Sequence, residues 1–371
     1  MAIARPEFEL AIIGGGPAGS AAAITAAGYG AKVILLEAGD FPRHKVCGEF
    51  VSAESLDILR ARLRDVPGAA RVLEAAPVID NLRLLLDHSF TTAPVVPTAL
   101  SITRYDLDYL LWQATEQAGI DTRSNCEVRA VEGNGPFELE TAEGKVEAYA
   151  VIVAAGRWSR FRPKIPVPPG PKWVGLKAHY REPVAGHSTD LYFFDHGYCG
   201  VQPVSNGVVN ACAMVRSDRA TSLEEVLALP PALAERSRAW EPLTDPVSTA
   251  PLIYRTPEPV RDNLMFVGDA AAFIDPFVGD GISIALRTGQ LAADELRPAL
   301  RNSATVATAG ANYQKKYEQH FVPLIAAASR IRPLLSWPRP AQFAVLEFLR
   351  LPGVMPYLIR RTRGSRCLPN H

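Results

Sequence analysis

The chain has 371 residues, and its 39 Lys+Arg balance 39 Asp+Glu, so bulk positive charge for binding nucleic acid is excluded. Hydrophobic residues make up 48% and charged residues 21%, which suits a large core, argues against disorder, and at this length allows about two or three domains. The five cysteines, Cys47, Cys126, Cys199, Cys212 and Cys367, contain no Cys-x-x-Cys pair; neither a metal site nor a disulfide framework is expected, and a reducing, cytoplasmic compartment fits.

In chain order, Phe8 to Ile13 reads as a buried parallel strand, Gly14 to Gly19 as a turn, and Ser20 to Ala27 as an Ala-rich helix stopped by Gly28 and Gly30. Lys32 to Leu36 is a second buried strand ending at Glu37, which completes a βαβ unit. The nearly uncharged stretch from Leu10 to Gly28 follows Glu7 and Glu9 and is broken by glycines, so neither a secretion signal nor a membrane span is expected. A helix over Ala53 to Leu63 precedes strands at Leu82 to Leu86 and Thr91 to Val95. An amphipathic helix follows from Arg104 to Gln117, with Leu107, Leu110, Leu111 and Ala114 on one face. Strands are then expected at Thr122 to Val131, Phe137 to Thr141 and Val146 to Ala154.

The segment Arg162 to Pro171, with Pro163, Pro166, Pro168, Pro169 and Pro171, reads as a domain crossing. Beyond it, strands at Trp173 to Tyr180, Asp190 to Phe194, Tyr198 to Gln202, Val208 to Val215 and Val247 to Tyr254 form a mainly antiparallel sheet. Short helices lie at Ser222 to Ala228 and Pro231 to Ala239. Asn263 to Val267 returns to a buried strand, and a long helix runs from Gly281 to Leu300; the remainder is helical and interrupted by proline.

Gly14-x-Gly16-x-x-Gly19 lies between a strand and a helix, and Glu37 ends the next strand. In that setting Gly14 permits the tight turn, Gly16 lets the backbone approach a pyrophosphate, and Gly19 lets the helix pack closely. The helix N-terminus at Pro17 and Ala18 offers amide donors to an anion. Glu37, followed by Ala38, can accept from a ribose diol and would repel a 2′-phosphate, which favours FAD or NAD over NADP. A second glycine segment follows Leu264 to Val267: Gly268-Asp269-Ala270-Ala271, then Asp275-Pro276-Phe277 and Gly279-Asp280-Gly281-Ile282.

With that second segment the chain resembles the para-hydroxybenzoate-hydroxylase-like flavoproteins over most of residues 8–300. The resemblance implies that Asp269 bonds the ribityl chain of FAD. It also implies that the helix beginning at Gly281 and Ile282, after Pro276 and Gly279, points its N-terminus at the flavin pyrimidine ring. Arg43-His44-Lys45-Val46-Cys47-Gly48-Glu49-Phe50 resembles the Lys-x-Cys-Gly segment of the geranylgeranyl reductase branch, which lies along the flavin. By that resemblance Arg43, Cys47, Gly48 and Phe50 are cofactor-side residues. Cys47 either shapes the site or takes part in proton delivery; the alternative is a small buried cysteine that only packs. Arg104 matches an arginine that contacts the FAD pyrophosphate region, and Val128 matches a backbone position at the adenine. Ala155-Gly156, in Val153 to Ser159, matches the turn beside FAD, where related hydroxylases carry Asp-Gly and engage NADPH.

The implied fold is α/β (α+β), with a Rossmann-type FAD-binding domain, an antiparallel-sheet substrate domain and a helical C-terminal region. FAD-binding stretches fall at 1–80, 101–165 and 261–310, substrate-domain stretches at 81–100 and 166–260, and the helical region at 311–371. The implied protein is a soluble FAD-dependent oxidoreductase acting on a lipophilic small molecule by flavin hydride transfer. The other options are an aromatic or polyketide monooxygenase, a flavin electron-transfer or redox-sensing protein, and, ranked low, a halogenase. The halogenase option lacks a Trp-x-Trp motif and any lysine between Lys45 and Lys145. A single Gly-x-Gly-x-x-Gly leaves NAD(P)H as a transient donor or calls for an external reductant. Tyr192, Phe194 and Tyr198 fit sheet packing better than substrate contact. His179 and His196 are candidate acid–base groups for which a structural role has the stronger claim.

From Arg297 onward the basic residues Arg297, Arg301, Lys315, Lys316, Arg330, Arg332, Arg339, Arg350, Arg360, Arg361, Arg363 and Arg366 face only Glu318 and Glu347. Interleaved with Phe343, Phe348, Leu351, Leu358 and Ile359, this tail could meet an anionic inner-membrane surface or an acyl carrier, or could cap the protein's own core.

Overall fold

The computed structural model describes residues 6–158, 160–163, 169–183 and 186–362. The apolar runs Phe8–Ile13, Val33–Leu36 and Gly144–Val153 lie at the centre of an eight-stranded sheet. Its path runs Val260–Arg261, Leu264–Phe266, Gly144–Val153, Phe8–Ile13, Val33–Leu36, Asp121–Arg123. Every pairing from Leu264–Phe266 to Asp121–Arg123 is parallel, while Val128–Gly133 and Phe137–Thr141 attach as an antiparallel meander. The stretch Thr122 to Val131 is therefore two strands rather than one. Asn125 takes φ 54, and the N–H groups of Asn125 and Cys126 donate to the carbonyls of Gly39 and Glu37, which bends the chain over the end of Val33–Leu36.

Parallel strands buried on both faces need helices against them. Helix Pro17–Gly28 starts with a proline in its first turn, earlier than Ser20, and buries Ala21, Ala22, Ala23 and Ala26. Helix Gly281–Leu300 packs against it so closely that a Cβ on Gly289 would stand 2.1 Å from the Ala18 carbonyl oxygen. Both helices follow the C-terminal ends of parallel strands, so their N-termini open on the same edge of the sheet, where ligands of such sheets bind.

The second sheet has nine strands: Glu241–Pro242, Trp173–Arg181, Val208–Arg216, Gly197–Ser205, Ser188–Phe194, Val78–Leu86, Ser89–Ser101 and Phe50–Val51 in path order, with Val247–Thr249 on Trp173–Arg181. It is antiparallel except that Ser188–Phe194 runs parallel to Val78–Leu86. The hairpin around residue 90 is longer than the sequence suggested, and the strand at Val247 ends at Thr249, before Pro251. Phe50–Val51 pairs with Ser101 and Leu100, so the segment carrying Cys47 runs directly from the first sheet to the second.

The C-terminal region is helical: Val306–His320, Val322–Ser329, a short 3₁₀ turn Arg332–Ser336, Arg339–Leu349 and Val354–Thr362. The Tyr313 hydroxyl donates to the Phe266 carbonyl at 2.8 Å, which fixes the first of these helices to the parallel sheet. Leu335 joins Tyr198, Met214 and Leu252 in one apolar cluster, so the tail roofs part of the second sheet. No described helix is long and apolar enough to cross a membrane.

Candidate active site

Between the two sheets lies a cavity of about 760 Å³. One end is built from the glycine loop. Gly14 has φ 106, and a Cβ on Gly19 would fall 1.8 Å from the Gly14 carbonyl oxygen, so the helix can start here only with glycine at position 19. Gly19 itself is packed away from the cavity, whereas Gly14, Gly16, Pro17 and Ala18 line it. The Gly16 cap lends no side chain to the first helical turn, and no acidic residue occupies that turn. The turn's N–H groups therefore face the cavity as anion donors.

Positive side chains surround this end. Lys45 Nζ lies 3.6 Å from Asp108, and Arg104 grips the same carboxylate through Nε and Nη2, each at 2.6 Å. Burial alone would push the Asp108 carboxyl up, but the Arg104 and Lys45 charges hold it below the ordinary carboxylate range. Arg104, assigned by resemblance to a pyrophosphate contact, thus lines the cavity while spending two donors on Asp108. Glu37 Oε2 accepts from Gly15 N–H at 2.8 Å, and Oε1 accepts from Gly39 N–H at 2.9 Å and Arg43 Nη2 at 2.8 Å. Ala38, Arg43 and Val128 complete this wall.

The turn at Ala155 and Gly156, the neighbouring turn at Asp269, and Pro276, Gly279, Gly281 and Ile282 also line the cavity. Burial raises the Asp269 carboxyl pKa, against the pull of Arg157, Arg104 and Lys45. Helix Gly281–Leu300 also begins without a side-chain cap, so its N-terminus is a second dipole end at the cavity. Ser159, the last residue of the Ala155-Gly156 motif, lies outside the described residues.

At the far end the lining passes to the second sheet and its neighbours: Tyr198, Cys212, Met214, Leu252 and Phe273. Cys47, Gly48 and Phe50 line this cavity. Cys47 Sγ accepts from the Glu49 N–H at 3.3 Å, and the Cys47 carbonyl accepts from Asn210 Nδ2 at 2.9 Å. Burial pushes the Cys47 thiol pKa up, so it stands as a neutral thiol at neutral pH. Of the aromatic trio, Tyr198 faces the cavity, whereas Tyr192 and Phe194 pack in a separate core cluster. The His196 ring lies against Asp195, and its backbone N–H donates to the Leu335 carbonyl.

Sequence reading missed Glu49, Lys177 and His179 as a unit. Glu49 Oε1 accepts from Lys177 Nζ at 2.7 Å and from the Arg104 N–H at 2.9 Å, and Oε2 pairs with His179 Nε2 at 2.7 Å. It also missed Arg157, whose guanidinium bonds Thr249 and lies 5.0 Å from the Phe273 ring centre. The Glu49 backbone signal, φ 62 in a non-glycine residue, has no sequence counterpart.

The cavity fits an adenine dinucleotide carrying a flavin. A Cβ on Gly16 would meet only the flexible end of Lys45, whose Nζ lies 3.9 Å away, so the backbone there is left open to a phosphate that the same ammonium can reach. Two uncapped helix starts, a basic rim and an acceptor at Asp269 supply donors and acceptors at separate points around one cavity. Residues 7–319 match the FAD binding domain family. The chain belongs to that family. Its cofactor is FAD, and it is a FAD-dependent oxidoreductase.

Among its relatives, it is 26% identical to digeranylgeranylglycerophospholipid reductase 2 of Methanopyrus kandleri, over 85% of this chain and 83% of that protein. It is 24% identical to the 1H-pyrrole-2-carbonyl-[peptidyl-carrier protein] brominase of Pseudoalteromonas luteoviolacea, over 79% and 78%. The solved structure of flavin-dependent brominase Bmp2 superposes with TM-score 0.76 at 20% identity, covering 96% of this chain and 94% of that one, and so shares its fold.

Proposed function

We propose that this flavoprotein is a reductase of the geranylgeranyl-reductase-like branch and acts on a lipophilic small molecule. The observation that carries this reading is the junction of Cys47-Gly48 with an apolar wall of Tyr198, Met214, Leu252 and Phe273 in one cavity. Likeness to the Methanopyrus reductase supports it. FAD, once bound, supplies the two-electron chemistry. The chain's residues bind and orient: the Gly14–Gly19 loop with Lys45 and Arg43 takes the phosphates, Glu37 the ribose, Asp269 the ribityl chain, Val128 the adenine. The neutral Cys47 thiol is placed to hold or pass a proton. The apolar wall excludes water and receives the substrate's hydrocarbon part. NAD(P)H as a transient donor, or an external reductant, belongs to the same reading.

The test is anaerobic. The dithionite-reduced protein is mixed with a polyprenyl lipid or a prenylated quinone, and saturation or quinol formation is followed by mass spectrometry and absorbance. Product without oxygen supports the reading; product that appears only with stoichiometric oxygen uptake overturns it.

A second reading, an oxygen-using monooxygenase or halogenase, is favoured by likeness to the Pseudoalteromonas brominase. Against its halogenating form, the lysine at the cavity is Lys45 at the phosphate end, and Lys177 is bound to Glu49; among the described residues none lines the apolar end.

A membrane or acyl-carrier contact through the tail completes the proposal. The tail's charge is less available than its composition suggested: Arg332 pairs with Asp275, Arg339 with Asp87, Lys316 with Glu295, and Arg350 with Glu347 and the Phe90 carbonyl. Such a contact would use exposed Phe348 and Leu351 together with Arg360 and Arg361; Arg363 and Arg366 lie outside the described residues.

A further inference from the structure

The turn at Cys47-Gly48 is held to the second sheet by a buried charge cluster that the cofactor-binding motifs do not use. Glu49 is fully buried, and Lys177 and His179 are 1% and 5% exposed. Lys177 and His179 alternate along Trp173–Arg181 and so share one face of the sheet. Their partners across the ladder are Cys212 and Asn210. Asn210 binds the Cys47 carbonyl, and Cys212 lines the cavity. Lys177 also lies 3.5 Å from His44 Nδ1, on the same segment as Cys47.

A carboxylate withdrawn from water is costly unless it is paired and hydrogen-bonded. A non-glycine residue in the left-handed region adds strain, which persists where the surroundings over-determine it. Both features meet at Glu49. A well-packed apolar contact would hold the turn to the second sheet at least as stably. What the ion pair adds is a fixed geometry and a fixed pair of opposite charges beside the cavity.

We infer that Glu49, with Lys177 as its counter-charge, is the positioning residue of the reactive end: it fixes the Cys47-Gly48 turn against FAD and balances the charge the flavin experiences there. This rests on the reading that Cys47-Gly48 lies along the flavin.

The experiment uses the full chain loaded with FAD. Midpoint potentials of wild type, E49Q, K177M and the E49Q/K177M double variant are measured by dye equilibration. In E49Q the amide keeps hydrogen bonds but leaves Lys177 uncompensated, so the potential rises. In K177M the carboxylate is uncompensated and the potential falls; the double variant returns toward wild type. Opposite single shifts that cancel support the inference, because a purely structural role would move both singles in the same direction or not at all. No shift, same-direction shifts, or loss of FAD from both E49Q and K177M would overturn it.

Iodoacetamide labelling of Cys47, read by mass spectrometry, gives the geometric half. E49Q and E49A both lose the Glu49 charge that helps raise the Cys47 thiol pKa, but only E49Q keeps the hydrogen bonds, so E49A should label about tenfold faster than E49Q; equal rates in E49Q and E49A would reject the positioning role. Protection of wild-type Cys47 by FAD, compared with the FAD-stripped protein, tests separately whether the turn lies along the flavin.

Discussion

Glu37 and Arg43 are bound at 2.8 Å, and the other oxygen of the same carboxylate takes the Gly15 N–H. One side chain therefore ties the end of the second strand to the phosphate loop and to the segment leading to Cys47. Burial alone would raise the Glu37 pKa. The Arg43 hydrogen bond, the Lys45 and Arg43 charges and the Gly15 N–H outweigh it and hold the carboxyl below its usual 4.5.

A depressed folded-state pKa contributes stability above the unfolded value and loses it as pH falls through the folded value. FAD retention should be flat from neutral pH down to the ordinary carboxylate value of 4.5 and decline only below it, as pH falls through the depressed folded-state value. Glu37→Gln should weaken FAD binding at pH 7 by about 1–2 kcal/mol and flatten the acid decline. Fluorescence of released flavin against pH measures both; an acid limb unchanged in the variant would remove Glu37 as its cause.

Asp269→Ala removes an acceptor that lines the cavity. FAD affinity should drop by roughly 1–3 kcal/mol while the fold persists, because this carboxylate faces the cavity rather than the core. Flavin titration with circular dichroism on the apoprotein separates the two effects. The flavin released from wild type by denaturation should be intact FAD, not FMN.

Cys47→Ala should leave FAD bound and change turnover. Since burial raises the thiol pKa, its alkylation in the wild type should be slow at neutral pH and climb only at alkaline pH, above the onset for a free cysteine. Labelling rates across pH 7–10, on the order of one decade per pH unit below the pKa, give the check. Fast labelling at pH 7 would mean a thiolate and a different role.

Arg332 binds Asp275 at 2.8 and 3.1 Å and lies 3.3 Å from the Tyr254 ring centre, so the C-terminal roof is fastened one residue before Pro276 of the cavity wall. Arg332→Ala leaves a buried carboxylate without its cation and should cost about 3 kcal/mol. Thermal unfolding should show a lower Tm, with FAD lost at the lower temperature. Asp275→Asn in the same background should recover part of the loss, since the uncompensated charge is gone.

Liposome co-sedimentation addresses the tail. Binding to anionic vesicles at low salt, reduced by salt and by Arg360→Glu with Arg361→Glu, is the expected result for the membrane contact. Equal sedimentation with neutral vesicles, or none, would leave the tail as a roof alone.

Local signals were enough for much of this molecule. The glycine spacing, Glu37 after the second strand, and Gly268-Asp269 through Ile282 identify a dinucleotide site, because each demand there is made by the backbone of a few adjacent residues. Helices at Ala53–Leu63, Arg104–Gln117 and Gly281–Leu300 begin and end as their sequence indicates, since caps, prolines and apolar spacing act within a turn or two. Pairings between distant segments were not legible. Ser188–Phe194 lies parallel to Val78–Leu86, and the Glu49 carboxylate meets Lys177 and His179 some 130 residues away. The sequence shows Glu49 only as a charge after Cys-Gly and Lys177 only as a charge in a strand. Their burial and mutual compensation exist only once the Cys47 segment has folded against strand Trp173–Arg181 of the second sheet. The same holds for the tail, whose composition suggested free positive charge until folding placed Asp275 and Asp87 opposite Arg332 and Arg339. Composition counts charges; only packing decides which of them meet.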